Sequence, residues 1–150
     1  MNKSVKTVSV LGSTGSVGTQ ALDVIKELGL DVVMITGHKN IKLIAEQIKE
    51  FSPEIACVAD CETARELENM IGNCTTKVIF GEEQMSDALE AHCADVTVHA
   101  IAGLAGLASA LKASRTPTRL AMANKEAVIC AGDMIFDNIR KNGGELVPVD

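Results

Sequence analysis

Short apolar runs alternate with amphipathic stretches along the whole chain. Val8, Ser9, Val10 and Leu11 read as a buried strand, and further strands are expected over residues 31–36, 55–59, 77–80, 96–100, 120–123 and 145–149. Between the first two runs, Val17, Ala21, Val24, Ile25 and Leu28 recur at helical spacing, and Gly29 ends that helix. A second helix starts near Asn40, carries Ile41, Ile44, Ile48 and Phe51, and is stopped by Ser52 and Pro53. A polar helix over about residues 62–71 follows, then a short one from Gly81 to near His92, one over about 106–113, and a last one to about residue 141.

Strands that are apolar throughout, rather than alternating, imply a sheet covered on both faces, and the intervening helices imply parallel pairing. With right-handed crossovers this gives an α/β, doubly wound, mostly parallel sheet of the Rossmann-like kind, with about seven strands and helices on both faces. The chain's 150 residues suit one domain, and no repeat, linker or low-complexity tract interrupts it. In such a fold the carboxyl ends of the strands form the ligand surface. Polar residues gather there at 12–16, 36–40, 99–103, 124–126 and 150.

The most informative cluster is Gly12-Ser13-Thr14-Gly15-Ser16-Val17-Gly18, between the first strand and its helix. Glycines allow a sharp turn and a close backbone approach, and the free N–H groups of a helix's first turn attract a pyrophosphate. Thr14 and Ser16 add hydroxyl donors. The spacing is G-x-x-G-x-x-G, a variant of the dinucleotide fingerprint; the same residues would also serve a tight turn with no ligand.

A site selective for NAD places an acid at the end of the second strand, against the ribose 2′-hydroxyl. Asp31 lies at about the usual distance in sequence but starts that strand, so it faces the wrong end of the sheet. The correct end carries Gly37, His38, Lys39 and Asn40, with no carboxylate and one firm positive charge. A 2′-phosphate is drawn to such a set, so NADP is expected over NAD. Asn124, Lys125 and Glu126 sit just past the sixth strand. They suit contacts to a carboxamide, an oxyanion or phosphate, and hydroxyl groups respectively; equally, Asn124 caps a helix and Glu126 favours its N-terminal dipole.

Composition narrows the partners. Acidic residues outnumber basic ones 20 to 14, for a net charge of −6, and there is no Trp, no Tyr and only three Phe. Nucleic acid is therefore not an expected partner. No apolar segment is long enough to cross a membrane, and the amino terminus lacks a signal-peptide core. The cysteines, at 57, 61, 74, 93 and 130, show no C-x-x-C spacing; Cys57 and Cys130 fall in apolar runs, where cysteine packs as a small hydrophobe. A reducing, cytoplasmic setting is expected.

Five stretches, LGSTGSVG (11–18), GHKN (37–40), AIAGLAG (100–106), LAMANKE (120–126) and LVPVD (146–150), occur in one order across the chain. Together they make the chain resemble the N-terminal NADPH-binding domain of 1-deoxy-D-xylulose 5-phosphate reductoisomerases. The resemblance implies that Thr14, Gly15, Ser16 and Val17 hold the pyrophosphate, and that Gly37, His38, Lys39 and Asn40 hold the 2′-phosphate side. It implies further that Asn124 and Glu126 touch NADPH, that Lys125 meets a sugar phosphate substrate, and that Asp150 is the first ligand of Mg²⁺ or Mn²⁺. The family's reaction rearranges 1-deoxy-D-xylulose 5-phosphate and reduces the product to 2-C-methyl-D-erythritol 4-phosphate, in the non-mevalonate route to isoprenoids. A homodimer is implied for the full-length protein.

Two departures from the family pattern stand out. Ala127 replaces the Ser that commonly follows the Asn-Lys-Glu motif, and the sequence stops at Asp150, where the family continues into a catalytic region with the remaining metal ligands. Residues 1–150 are thus expected to be the NADPH-binding domain of a longer enzyme and to be inactive alone. Other readings are another two-domain NAD(P)-dependent reductase, such as a homoserine dehydrogenase-like enzyme, or a non-catalytic NADP-binding module. A short-chain reductase would need a catalytic Tyr, which the chain lacks.

Overall fold

A computed structural model describes residues 4–149. Seven strands, β1 (Thr7–Leu11), β2 (Asp31–Thr36), β3 (Ile55–Val58), β4 (Lys77–Phe80), β5 (Val96–His99), β6 (Arg119–Met122) and β7 (Glu145–Pro148), form one sheet in the order β4-β3-β2-β1-β5-β6-β7. Every pairing is parallel. The order reverses at β1, so a crevice opens beyond its carboxyl end, between the loops that follow β1 and β5.

Six helices connect the strands: α1 (Ser16–Leu28), α2 (Ile41–Phe51), α3 (Cys61–Ile71), α4 (Gly81–Ala91), α5 (Leu107–Ser114) and α6 (Lys125–Asn142). The expected boundaries hold to within a residue or two, except that a 3-10 turn, Leu104–Gly106, precedes α5. Two apolar cores flank the sheet. Leu22, Ile25, Ile44, Ile48 and Leu67 pack on one face against Val10, Ile35 and Val58, so α1, α2 and α3 lie there. Met85, Leu89, Ala110, Ala113, Ile135 and Ile139 pack on the other against Met34, Leu120 and Met122, so α4, α5 and α6 lie there.

Two expectations need correction. Of the apolar positions expected to bury α1, Ile25 is buried, whereas Val17, Val24 and Leu28 are exposed (39, 52 and 65 %). The buried line of α1 runs through Gly18, Leu22 and Ile25, rotated about a quarter turn from the expected stripe. Cys130 is exposed as well, because the inward positions of that part of α6 fall on Ala127 and Ile135; Cys57 is buried as expected.

Candidate functional site

The glycine turn is held rigid from beneath. Gly12 N donates to Thr36 Oγ1 (2.9 Å), Ser13 N to Thr36 O (2.8 Å), Ser13 Oγ to Gln47 Oε1 (2.7 Å) and Gln47 Nε2 to Ser13 O (2.8 Å). Gln47 is a polar residue on the buried side of α2, and its partner is the backbone of the turn. Its only signal in the sequence is a glutamine beside Ile44 and Ile48 on a face that is otherwise apolar.

The three glycines do different work. Gly12 has φ +84°, and a Cβ there would lie 2.8 Å from Ala100 O; a Cβ on Gly18 would lie 2.0 Å from Gly12 O. These two are required by packing. A Cβ on Gly15 would meet nothing of this chain nearer than Gly12 O at 3.7 Å. Gly15 is the N-cap of α1, offers no side-chain cap, and the first turn holds no acid. The leading N–H groups of α1 therefore lack the side-chain acceptors that serve α2, α3 and α6, whose caps are Asn40 (to Leu43 N, 3.4 Å), Asp60 (to Thr63 N, 2.8 Å) and Asn124 (to Ala127 N, 2.9 Å). An open cradle with unpaired donors fits a pyrophosphate.

Above this turn lies a cavity of about 560 Å³, a size suited to a small-molecule ligand. Thr14, Gly15, Gly37 and His38 line it, as the sequence suggested, together with Ala100, Ile101, Ala102 and Ala105 from the loop after β5. Cys57, Val58, Ala59, Gly81, Glu82 and Met85 complete it from the ends of β3 and β4. These were missed, although the rule that ligands sit at strand carboxyl ends applied equally to β3 and β4. Burial pushes the Cys57 thiol up to about 12, so it stays protonated and serves as apolar lining.

Lys39 and Asn40 lie exposed beside the cavity, on the loop that joins β2 to α2. That region is less purely positive than the sequence implied. Asp60, from the loop after β3, approaches Lys39 with Oδ2 3.9 Å from Nζ. Its cap bond to Thr63 holds the Asp60 carboxyl below the usual carboxylate range, helped by the nearby Lys39 and His38. Ser16 and Val17, in the first turn of α1, are exposed.

The second polar cluster is arranged differently. Asn124 is buried, and its side chain is fully employed within the chain: Nδ2 donates to Ile101 O (2.7 Å) and Gly103 O (2.8 Å), while Oδ1 caps α6. Asn124 thus anchors the loop that walls the cavity. Lys125 is exposed and Glu126 half-buried in the first turn of α6; neither lines the cavity. Asp150 lies outside the described residues, and among those described no three His, Cys, Asp or Glu come together as a metal site.

His99 ends β5 and is completely buried. Its Nε2 lies 2.8 Å from Ser109 Oγ, which donates to Gly106 O (3.0 Å), so Nε2 carries the proton; Nδ1 has no partner among the described residues. Burial lowers the His99 pKa to about 4, keeping it neutral and bracing the same loop that Asn124 anchors.

The family profile for 1-deoxy-D-xylulose 5-phosphate reductoisomerase matches residues 8–132. This chain belongs to that family. It is 35 % identical over 145 residues to the reductoisomerase of Ruminiclostridium cellulolyticum, covering 97 % of this chain and 38 % of that protein. Against the Paraburkholderia xenovorans reductoisomerase it is 38 % identical over 149 residues, covering 97 % and 37 %. Among solved structures, the reductoisomerase of Zymomonas mobilis in complex with NADPH superposes with a TM-score of 0.91 at 34 % identity, covering 98 % of this chain and 39 % of that one. A reductoisomerase in complex with magnesium gives the same TM-score at 27 % identity. The chain therefore spans less than two fifths of the reductoisomerases it matches.

Proposed function

We propose that residues 1–150 are the NADPH-binding domain of a 1-deoxy-D-xylulose 5-phosphate reductoisomerase, a cytoplasmic enzyme that forms 2-C-methyl-D-erythritol 4-phosphate for isoprenoid synthesis. The observation that carries the reading is the open cradle at Gly15, set beneath a cavity whose far wall is the 100–105 loop. NADPH would supply the hydride. Thr14, Gly15, Ser16 and Val17 would hold its pyrophosphate, and Gly37, His38, Lys39 and Asn40 its 2′-phosphate, with Asp60 tempering the charge of Lys39.

Asn124 would act by fixing loop 101–103 against the cofactor, and Glu126 would border the nicotinamide end. Lys125, exposed at the start of α6, would meet the phosphate of the sugar substrate. Asp150 would contribute one ligand to Mg²⁺ or Mn²⁺, with the others from the part of the family fold that lies outside these residues; a single carboxylate is not a divalent site. The full-length protein would be a homodimer, and the 150 residues alone would not turn over substrate. No helix among the described residues is long and apolar enough to cross a membrane. The readings as another two-domain NAD(P)-dependent reductase, such as a homoserine dehydrogenase-like enzyme, and as a non-catalytic NADP-binding module gain no support from the matched relatives.

Titration of NADPH and NADH into the wild-type chain and Lys39→Ala tests this. NADPH is expected to bind more tightly, and the substitution to weaken NADPH alone by about 1–3 kcal/mol, the range for a charge-assisted hydrogen bond. Equal affinity of the wild type for both cofactors would overturn the 2′-phosphate assignment.

A further inference from the structure

A polar side chain on the core face of a helix costs stability unless its polar atoms are bonded, and Gln47 is such a side chain. On α2 it stands among the buried Ile44, Ala45 and Ile48, where an apolar residue would be buried at lower cost. Both ends of its amide go to Ser13, itself completely buried: Oε1 accepts from Oγ, and Nε2 donates to the backbone oxygen. A carbonyl oxygen only accepts, so the atom facing it must be the nitrogen, and the amide has one possible orientation.

The consequence lies on the other side of the same peptide. No peptide bond among the described residues is cis, and in a trans peptide the C=O and the following N–H point in opposite directions. Holding Ser13 O toward α2 therefore turns Thr14 N–H away from α2, toward the cavity that Thr14 lines. No group among the described residues accepts from Thr14 N, whereas Ser13 N is bonded to Thr36 O and Gly15 N reaches back to Gly12 O at 3.4 Å. The same helix also supports the neighbouring loop. A Cβ on Gly37 would lie 2.5 Å from Ile44 Cδ1 and 3.2 Å from Thr14 Cγ2, so Gly37 sits tightly between them. Three residues apart on α2, Ile44 backs the 37–40 loop and Gln47 backs the glycine turn.

We propose that Gln47 is a positioning residue for the pyrophosphate of the cofactor: through the Ser13–Thr14 peptide it holds Thr14 N–H as an unpaired donor aimed at that anion. This rests on the NADPH reading of the cavity. Gln47 lies beneath the turn and does not line the cavity, so it touches no ligand and acts only through the peptide. Without its amide, the plane of that peptide loses the bond that fixes it. Ser13 O is then free to turn toward the cavity, where an oxygen that repels phosphate takes the place of an N–H that attracts it.

Gln47→Met tests this, because it keeps the length and bulk of the side chain and removes both polar atoms. In the folded variant, NADPH affinity should fall roughly tenfold or more, the order expected for one hydrogen bond to a charged group. Adenosine 2′-monophosphate, which carries the 2′-phosphate and no pyrophosphate, should bind variant and wild type alike. A role confined to packing α2 would instead weaken both ligands equally, since α2 begins at the 37–40 loop, and that result would overturn the proposal. So would unchanged NADPH affinity. Amide hydrogen exchange of the wild-type chain decides even if the variant does not fold. Thr14 N–H should exchange readily in the free chain and several-fold more slowly with NADPH, while Ser13 N–H is protected in both. A Thr14 amide already protected without ligand would mean that it faces the protein, against the proposal. A wild-type chain that binds no NADPH would remove the cofactor reading and this proposal with it; the other adverse results, with wild-type binding intact, remove this proposal alone.

Discussion

The β1–β4 half of the sheet and the β5–β7 half are made of similar strands, but they end in different states. In the first, helices lie on both faces, the glycine turn is bonded to Thr36 and Gln47, and the strand ends close around a cavity. In the second, no helix among the described residues packs on the α1–α3 face of β6 and β7, β7 is half-buried, and Lys125 and Glu126 stand outside the cavity. The difference teaches where this domain is self-sufficient. Residues proposed to meet a cofactor are already held in place, whereas Lys125, proposed to meet the substrate, stands exposed at the start of α6.

The sharpest way to break that comparison uses two glycines three residues apart. Gly18→Val forces a side chain into Gly12 O and should cost about 3 kcal/mol or more of stability. Gly15→Val should leave the melting curve nearly unchanged and abolish NADPH binding, because a Cβ there meets no atom of this chain nearer than 3.7 Å and the space is the one proposed for the pyrophosphate. Circular dichroism melts with fluorescence titration separate the two; retained affinity in a folded Gly15→Val chain would make the turn merely structural.

A second contrast sets the cores of the two halves against each other. Ile35→Ala, at a fully buried site in β2, should cost about 2–5 kcal/mol. Val147→Ala in β7 should cost under about 1 kcal/mol, since the side chain is already half in water. Urea unfolding of both variants reads the difference, and equal losses would mean the β7 half is as tightly packed as the other.

His99 lies on the seam between the halves and gives the third. Its folded pKa of about 4 is below the ordinary value of 6.5, so between those limits the unfolded chain binds more protons. Stability should therefore fall as pH drops from 6.5 toward 4, by up to roughly 3 kcal/mol from this group. His99→Asn should flatten that part of the profile; an unchanged slope in urea titrations at pH 4.5 and 7 would place its origin elsewhere.

The sequence made the order of elements legible because strand runs and helix periods differ so plainly, as at residues 31–36 and 41–51. It also made the cradle legible, through Gly12, Gly15 and Gly18. What it concealed depends on distances along the chain. Asp60 comes beside Lys39 only because β3 pairs with β2, and Gln47 meets Ser13 only because α2 folds back over the turn. The stripe on α1 was read correctly as apolar and wrongly as buried: periodicity gives a helix its faces, and the neighbouring elements decide which of them is covered. Asn124 shows the same limit, for no spacing rule distinguishes a side chain that reaches a ligand from one spent on Ile101 O and Gly103 O.

The strand order also has a consequence for how the domain is made. Of these seven strands β1 leaves the ribosome first, and β2 joins one of its edges after about twenty residues of further synthesis. Its other edge waits for β5, whose last residue is His99. Through that interval Leu11 O, which in the finished sheet accepts from Ala100 N, has no strand to pair with, and this edge lies beside the apolar Val8 and Val10, the kind of edge that invites pairing with a foreign strand. β4 is finished before β5 begins, so β1 to β4 can assemble as a four-stranded unit while β1 still has a bare edge. The central strand of the finished sheet is thus, during synthesis, its most vulnerable margin.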